Sequence, residues 1–151
     1  MIYYLWPILW MGVIFIFSTD LGSSAHTSHY VDSVVRFFYP DVPGSRLLLF
    51  QEATRKLAHL SEYAVLSILW FSAFSQGSRR WSFSHAGSAL LICVVYAALD
   101  EFHQSFVPSR TASLTDVGID SVGTLISLLF LFVRLRRSGE PSFPRPIPGE
   151  R

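Results

Sequence analysis

The chain has 151 residues, of which half are hydrophobic, and its formal net charge at neutral pH is +1. Together with a mean hydropathy of +0.37, this composition suits one small membrane domain better than a soluble one. The small net charge argues against nucleic-acid binding, which needs a strongly basic surface. The single cysteine, Cys93, excludes a disulfide or a cysteine metal cluster within one chain.

Four long apolar runs predict four membrane-spanning helices. These runs are Ile2–Phe17, Leu57–Phe74, Ala86–Leu99 and Val117–Val133. A spanning helix needs about 20 mostly apolar residues, so the last three runs span only when their polar ends are included. The first run lacks the basic segment that opens a signal peptide, and we interpret it as a retained helix. The sequence therefore predicts an all-α, integral membrane four-helix bundle.

The segments between and after these runs differ in character. Residues 18–55 are predicted to form a long first extracytoplasmic loop. Within it, His29–Tyr39 has apolar residues at spacings of three and four, which is typical of a short amphipathic helix at the membrane interface. The tail is rich in proline and glycine and has no periodicity. We therefore expect one membrane domain over 1–137 and a disordered cytoplasmic tail over 138–151.

Basic residues indicate how the bundle is oriented. Arg79 and Arg80 in the second loop lie on the same side as the arginines that follow run four. Positive charge near helix ends favours the cytoplasm, so both termini are predicted to be cytoplasmic and the first and third loops external. The first loop also contains basic residues, but it is long and contains acidic residues too.

Polar and charged residues collect at one end of the predicted bundle. In an antiparallel arrangement, the ends of runs one and three lie beside the beginnings of runs two and four. Three sets of residues share helix faces at spacings of three or four: Lys56, His59 and Glu62; Asp100 and Gln104; and Asp116 and Asp120. Ionisable residues at membrane depth are costly and point to function, so this external end is the predicted site. Gly118 and Gly123 would allow a close helix or ligand approach there.

Two motifs carry a family resemblance. The first is Lys56-x-x-His59-x-x-Glu62-Tyr63. The second is Asp100-Glu101-x-x-Gln104-x-Phe106-x-Pro108-x-Arg110-x-x-Ser113-x-x-Asp116, followed by Gly123. Over about residues 10–130 the chain resembles the VanZ-like family of small integral membrane proteins.

The resemblance implies a bacterial plasma membrane and a cell-envelope context, since the family's namesake is associated with resistance to the glycopeptide teicoplanin. It implies a site but no mechanism. The chain departs from the family at Asp120, where the family usually has asparagine, so a neutral amide donor is not required at this position.

Our first hypothesis is recognition of a lipid-linked or cell-envelope ligand, with Lys56 and Arg110 binding its phosphate or carboxylate. The predicted ligand-binding residues are Lys56, His59, Glu62, Tyr63, Asp100, Glu101, Gln104, Arg110, Ser113, Asp116 and Asp120. Membrane lipids or a lipid-linked envelope precursor are the expected partners. A homo-oligomer is left open, and nucleic acid is excluded.

The alternative is a membrane-embedded enzyme. Its catalytic candidates are His59, Asp100 and Asp116, which have the ingredients of acid–base chemistry. No cofactor is predicted and no dense metal-ligand motif is found, although the same carboxylates and His59 could bind a divalent cation. A small transporter is least favoured because the polar residues are confined to one end.

Each of these residues also has a purely structural interpretation. A buried Asp–Arg pair can fix a loop without chemistry, and intramembrane polar residues often hydrogen-bond neighbouring helices. Glu101 follows Asp100 directly and must point elsewhere on its helix, so a solvated position at the rim is its structural alternative.

Overall fold

The computed structural model describes residues 2–19, 24–78, 80–108 and 112–138. Helices account for most of this part of the chain, which contains no strand, so the all-α prediction is confirmed. The helices are α1 (Ile2–Ser18), α2 (Ser24–Phe38), α3 (Gly44–Ser75), α4 (Phe83–Gln104) and α5 (Leu114–Ser138). Each of the four predicted apolar runs falls within one of α1, α3, α4 and α5.

Within the described ranges, three helices are long and apolar enough to cross a membrane. They are Gly44–Ser75, Phe83–Gln104 and Leu114–Arg137. At 17 residues α1 is shorter, and it extends about 25 Å against the roughly 30 Å thickness of a hydrocarbon core. The membrane class is therefore supported by three helices, and a fourth crossing by α1 stays a prediction.

The connection predicted as a long loop is largely helical. Its amphipathic segment forms α2, which begins earlier than His29, and α3 begins at Gly44, well before the apolar run that starts at Leu57. Pro43 precedes α3 in an extended conformation (φ −61°, ψ 143°). The Gln51 side-chain amide donates to Asp32 Oδ1 at 2.6 Å and so links α2 to α3. Hydropathy alone missed the start of α3 because the mostly polar residues 51–56 separate its first turns from the long apolar run.

Local chemistry ends α3 and begins α4. Gln76 (φ 48°) and Gly77 (φ 78°) adopt left-handed backbone, and the Gly77 N–H donates to the Ser72 carbonyl at 3.2 Å. This is the usual way of satisfying the last carbonyls of a helix. Ser82 then caps α4, because its hydroxyl accepts from the His85 N–H at 3.3 Å.

The central helix of the fold is α3, which contacts each of the other four helices. It approaches α5 closely at Gly123, where a Cβ atom would overlap the Leu60 carbonyl oxygen. The close approach predicted at Gly123 is therefore confirmed. Gly118 does not lie at such a contact, because a Cβ there would meet nothing within 4 Å.

The interior is small and partly polar, whereas the exterior is apolar. Ile14, Tyr63 and Cys93 belong to one buried cluster, so Cys93 is the packing residue that its sequence context indicates. On the outer faces, Leu91 and Leu129 expose 65% and 63% of their surface. Exposed leucines around a polar interior are expected where lipid, not water, surrounds the helices.

Two side chains attach α1 to the bundle through backbone carbonyls. The Trp10 indole N–H donates to the Glu62 carbonyl of α3 at 2.9 Å. The Tyr96 hydroxyl of α4 donates to the Met11 carbonyl of α1 at 2.7 Å. Together they fix α1 against two neighbours about midway along its length.

Gly123→Ala is expected to lower the free energy of unfolding by about 1–3 kcal/mol, because its methyl group would overlap the Leu60 carbonyl and push α5 from α3. Gly118→Ala is the matched control on the same helix. It should be neutral or stabilising by up to about 1 kcal/mol, because alanine favours helix more than glycine does. Thermal unfolding in mild detergent measures both, and equal midpoints would contradict the close contact.

Candidate functional site

The structure brings the polar ends of four helices together. We use the term polar cluster for seven side chains, each of which exposes 6% or less of its surface: Ser18, His59, Asp100, Glu101, Gln104, Asp116 and Asp120. They come from the end of α1, the middle of α3, the end of α4 and the beginning of α5. This arrangement is the one that the antiparallel order of the apolar runs predicts.

One half of the polar cluster joins α1 to α4. The Ser18 hydroxyl donates to Asp100 Oδ1 at 2.5 Å. The Gln104 amide donates to Asp100 Oδ2 at 2.9 Å and to the Ser18 hydroxyl oxygen at 3.0 Å. Both Asp100 oxygens therefore accept hydrogen bonds within the protein. Such bonding is typical of side chains that hold two helices together.

The other half joins α3 to α5 through charged groups. Arg55 Nη2 lies 3.2 Å from Asp116 Oδ2, and His59 Nδ1 lies 3.2 Å from Asp120 Oδ1. Neither contact has hydrogen-bond geometry at the acidic oxygen, and both Asp120 oxygens lack a hydrogen bond among the described residues. These groups are thus close enough to form ion pairs, but their hydrogen-bonding capacity is not fully used.

Glu101 lies between the two halves. Its Oε2 accepts a hydrogen bond from the Ser113 backbone N–H at 2.6 Å, and its Oε1 is buried without a hydrogen-bond partner in the described part of the chain. Glu101 exposes only 5% of its surface. The alternative of a solvated rim position is therefore wrong, because the Glu101 side chain is buried and bonded to the backbone just before α5.

Three side chains of the polar cluster are close enough to hold a metal ion. His59, Glu101 and Asp116 each offer a ligand atom, and these atoms all lie within 4.8 Å of one another. All three side chains are buried. One imidazole and two carboxylates make a mixed nitrogen and oxygen donor set.

Other predicted site residues lie at the edge of the polar cluster or outside it. Lys56 pairs with Glu52 at 2.5 Å, and its side chain is 39% exposed. Glu62 is partly buried, whereas Tyr63 is fully buried beside Ile14 and is part of the apolar core. The Ser113 hydroxyl accepts from the Thr115 N–H at 3.2 Å and so helps to begin α5.

Arg110 lies outside the described residues, as do Asp20 and Arg79. The binding of an anion by Arg110, and its alternative role in a buried Asp–Arg pair, therefore stay predictions. Both oxygens of Asp100 already have partners in the described part of the chain.

Arg55 is the site residue that sequence reasoning missed. Arg55 lies four residues before His59, and Lys56 lies three residues before His59. Helical spacing alone therefore allows either side chain to lie near the histidine. The structure places Arg55 against Asp116 and Lys56 against Glu52. Glu52, four residues before Lys56, was the available signal, because a Glu–Lys pair at this spacing is a favourable surface contact.

Asp120→Asn is expected to leave the thermal midpoint unchanged or to raise it. Asparagine keeps a polar group of the same shape 3.2 Å from His59 Nδ1, whereas the substitution removes a fully buried carboxylate that has no hydrogen bond among the described residues. Asp120→Ala is the control, since it takes away the polar neighbour of the imidazole altogether and should cost about 1–3 kcal/mol. A midpoint for Asp120→Asn that falls below the wild type as far as that of Asp120→Ala would show that the charge itself is needed for stability.

The profile of one protein family, described as VanZ/LLP1, matches residues 2–135. Neither a curated protein nor a solved structure matches the chain. The match covers all of α1 to α4 and nearly all of α5, so it includes every residue of the polar cluster. The chain therefore belongs to the VanZ/LLP1 family.

Proposed function

We propose that this membrane protein binds an anionic, lipid-linked cell-envelope ligand at the polar cluster. The proposal rests on the position of Arg55. Its side chain is 29% exposed, although it contacts the Asp116 side chain, which is only 2% exposed. A guanidinium at this position connects the buried acidic groups with the surface. A ligand can therefore reach it without opening the bundle.

The chemistry of Arg55 suits a phosphate or carboxylate group. A guanidinium has five N–H donors in a planar fork, and Arg55 contacts Asp116 through Nη2. The remaining donors can bind an anion in two-pronged fashion. Lys56 is adjacent in sequence and partly exposed, so it adds a second positive charge at the same edge.

A lipid-linked ligand fits the surroundings of this site. Three helices with apolar outer faces surround the polar cluster, so a long acyl or prenyl chain can lie along them while its headgroup meets Arg55. Polyprenyl phosphates combine such a chain with a phosphate. We therefore take a polyprenyl phosphate, or an envelope precursor linked to one, as the ligand class.

The proposal includes an orientation in the bacterial plasma membrane. With both termini cytoplasmic, the polar cluster lies at the external face, where lipid-linked envelope precursors are used. The membrane domain then spans 1–137, and 138–151 form a cytoplasmic tail. A contribution to teicoplanin resistance would follow if the bound precursor were one that the glycopeptide targets.

A second candidate is an enzyme that acts on the same ligand class, and the pairing of His59 with Asp120 favours it. A histidine beside a buried carboxylate can be oriented to take or give a proton. Asp116 and Glu101 lie near the same histidine. The transport hypothesis gains no support of this kind.

The first test measures lipid binding to protein in lipid nanodiscs by native mass spectrometry. Polyprenyl phosphate is the probe, and polyprenol and phosphatidic acid are the comparison lipids. Arg55→Ala should weaken polyprenyl phosphate binding by about tenfold or more, because a charge-assisted contact is worth about 1.5–3 kcal/mol. Polyprenol, which has no phosphate, should bind weakly to both proteins.

Arg46→Ala is the matched control, since Arg46 is an exposed arginine near the beginning of the same helix. It removes the same charge and should leave binding unchanged. Equal binding by wild type and Arg55→Ala would overturn the proposal. So would equal weakening by Arg46→Ala, because the effect would then be one of overall charge.

The enzyme candidate makes a separate prediction. Recovered polyprenyl phosphate or its envelope-linked form should change in mass on incubation with wild type. His59→Gln should abolish that change while binding persists, because glutamine cannot act as the acid or base. Unchanged lipid in every incubation would leave binding as the function and remove the enzyme candidate.

A further inference from the structure

We infer that His59, Glu101 and Asp116 form a binding site for one divalent first-row cation, such as Mn²⁺ or Zn²⁺. The site brings together one side chain from each of α3, α4 and α5. It does not depend on the proposed lipid ligand, because all three donors belong to this chain.

The first support is geometric. Three atoms that surround one ion at about 2.0–2.2 Å lie about 3.3–3.8 Å from one another. The three candidate donors lie within 4.8 Å of one another. A movement of each donor by about 0.6 Å toward their common centre, which side-chain rotation supplies, therefore completes the coordination.

The second support is unsatisfied hydrogen-bonding capacity at the same point. Glu101 Oε1 is shielded from solvent and has neither a hydrogen bond nor an ion pair among the described residues. Asp116 Oδ2 and His59 Nδ1 also lack hydrogen bonds there, although they lie in ion-pair contact with Arg55 and Asp120. Their side chains expose 6% or less of their surface. Buried polar atoms without partners are rare, and a bound ion is one of the recognised explanations for them.

The third support is charge. In the described part of the chain, four carboxylates of the polar cluster are buried: Asp100, Glu101, Asp116 and Asp120. Arg55 and His59 are the basic side chains placed in contact with them there. Buried carboxylates need compensating charge. A divalent cation supplies two positive charges at the centre of this group.

The donor set selects the class of ion. Carboxylate oxygens alone would suit Mg²⁺ or Ca²⁺, whereas an imidazole favours a transition metal. Asp116 has two oxygens, so one can bind the ion while the other faces Arg55. Three protein ligands leave coordination positions for water or a phosphate oxygen, as in metal sites that act on substrates.

The test uses full-length protein in mild detergent that has been stripped with a chelator and contains no added lipid. Titration with Mn²⁺, followed by electron paramagnetic resonance, should give one saturable site per chain. Glu101→Gln should weaken binding by more than about 100-fold, because even outer partners of a metal site contribute about 10–100-fold. Nitrogen coupling to the bound Mn²⁺ should be present in wild type.

Asp100→Asn is the matched control. Asp100 is adjacent to Glu101 on α4, equally buried and of the same charge, but its oxygens are already bonded to Ser18 and Gln104. It should change Mn²⁺ affinity less than tenfold. If Glu101→Gln does not give folded protein, Asp116→Asn provides the same test on α5.

Three results would overturn the inference: no saturable Mn²⁺ or Zn²⁺ binding by stripped wild type, equal loss of affinity in Asp100→Asn and Glu101→Gln, or bound Mn²⁺ without nitrogen coupling. Lipid binding is measured separately with and without the ion. Failure of the cation site therefore leaves the result for Arg55 and polyprenyl phosphate standing.

Discussion

The burial of carboxylates inside a bundle with an apolar exterior is the constraint on which this structure depends. Apolar surfaces toward lipid supply little force to hold membrane helices together, so close packing and polar contacts must do so. The polar cluster provides such contacts among α1, α3, α4 and α5 at one end. The close approach of Gly123 to Leu60 provides the packing next to it.

The two halves of the polar cluster differ in how many hydrogen bonds their buried carboxylates accept. We use this difference to distinguish residues that hold the helices together from residues that can bind a ligand. Both Asp100 oxygens accept hydrogen bonds, from Ser18 and from Gln104, although the Gln104 amide oxygen has no hydrogen-bond partner among the described residues. In the other half, neither oxygen of Asp120 and neither His59 Nδ1 nor Asp116 Oδ2 has a hydrogen bond in the described ranges. A ligand or an ion gains most where protein partners are incomplete, so the α3–α5 side is where we locate both proposals.

Much of this organisation could be predicted from the sequence. Hydropathy identified the four apolar segments, and an antiparallel order was enough to bring Asp100, Asp116 and His59 to one end. Helical periodicity also identified α2. It could not identify the beginning of α3, because the short apolar run at 47–50 is separated from the long apolar run by the mostly polar residues 51–56 and so does not resemble a span.

The roles of individual side chains in and around the polar cluster could not be predicted from the sequence alone. Arg55 and Lys56 are equivalent by spacing, and only the positions of their partners distinguish them. Glu101 looked peripheral because its neighbour Asp100 points inward, but its side chain is buried and accepts the Ser113 N–H from just before α5. Gly118 and Gly123 look alike in sequence, whereas only Gly123 faces α3.

The attachment of α1 has a consequence for sequence variation. Trp10 and Tyr96 donate to the backbone carbonyls of Glu62 and Met11, not to their side chains. Every amino acid provides that carbonyl, so the accepting positions can change identity without loss of the bond. The donors cannot, because few side chains carry an N–H or O–H on a ring of this reach. These two hydrogen bonds therefore restrict sequence change at the two aromatic positions and place no restriction of their own on the side chains at the accepting positions.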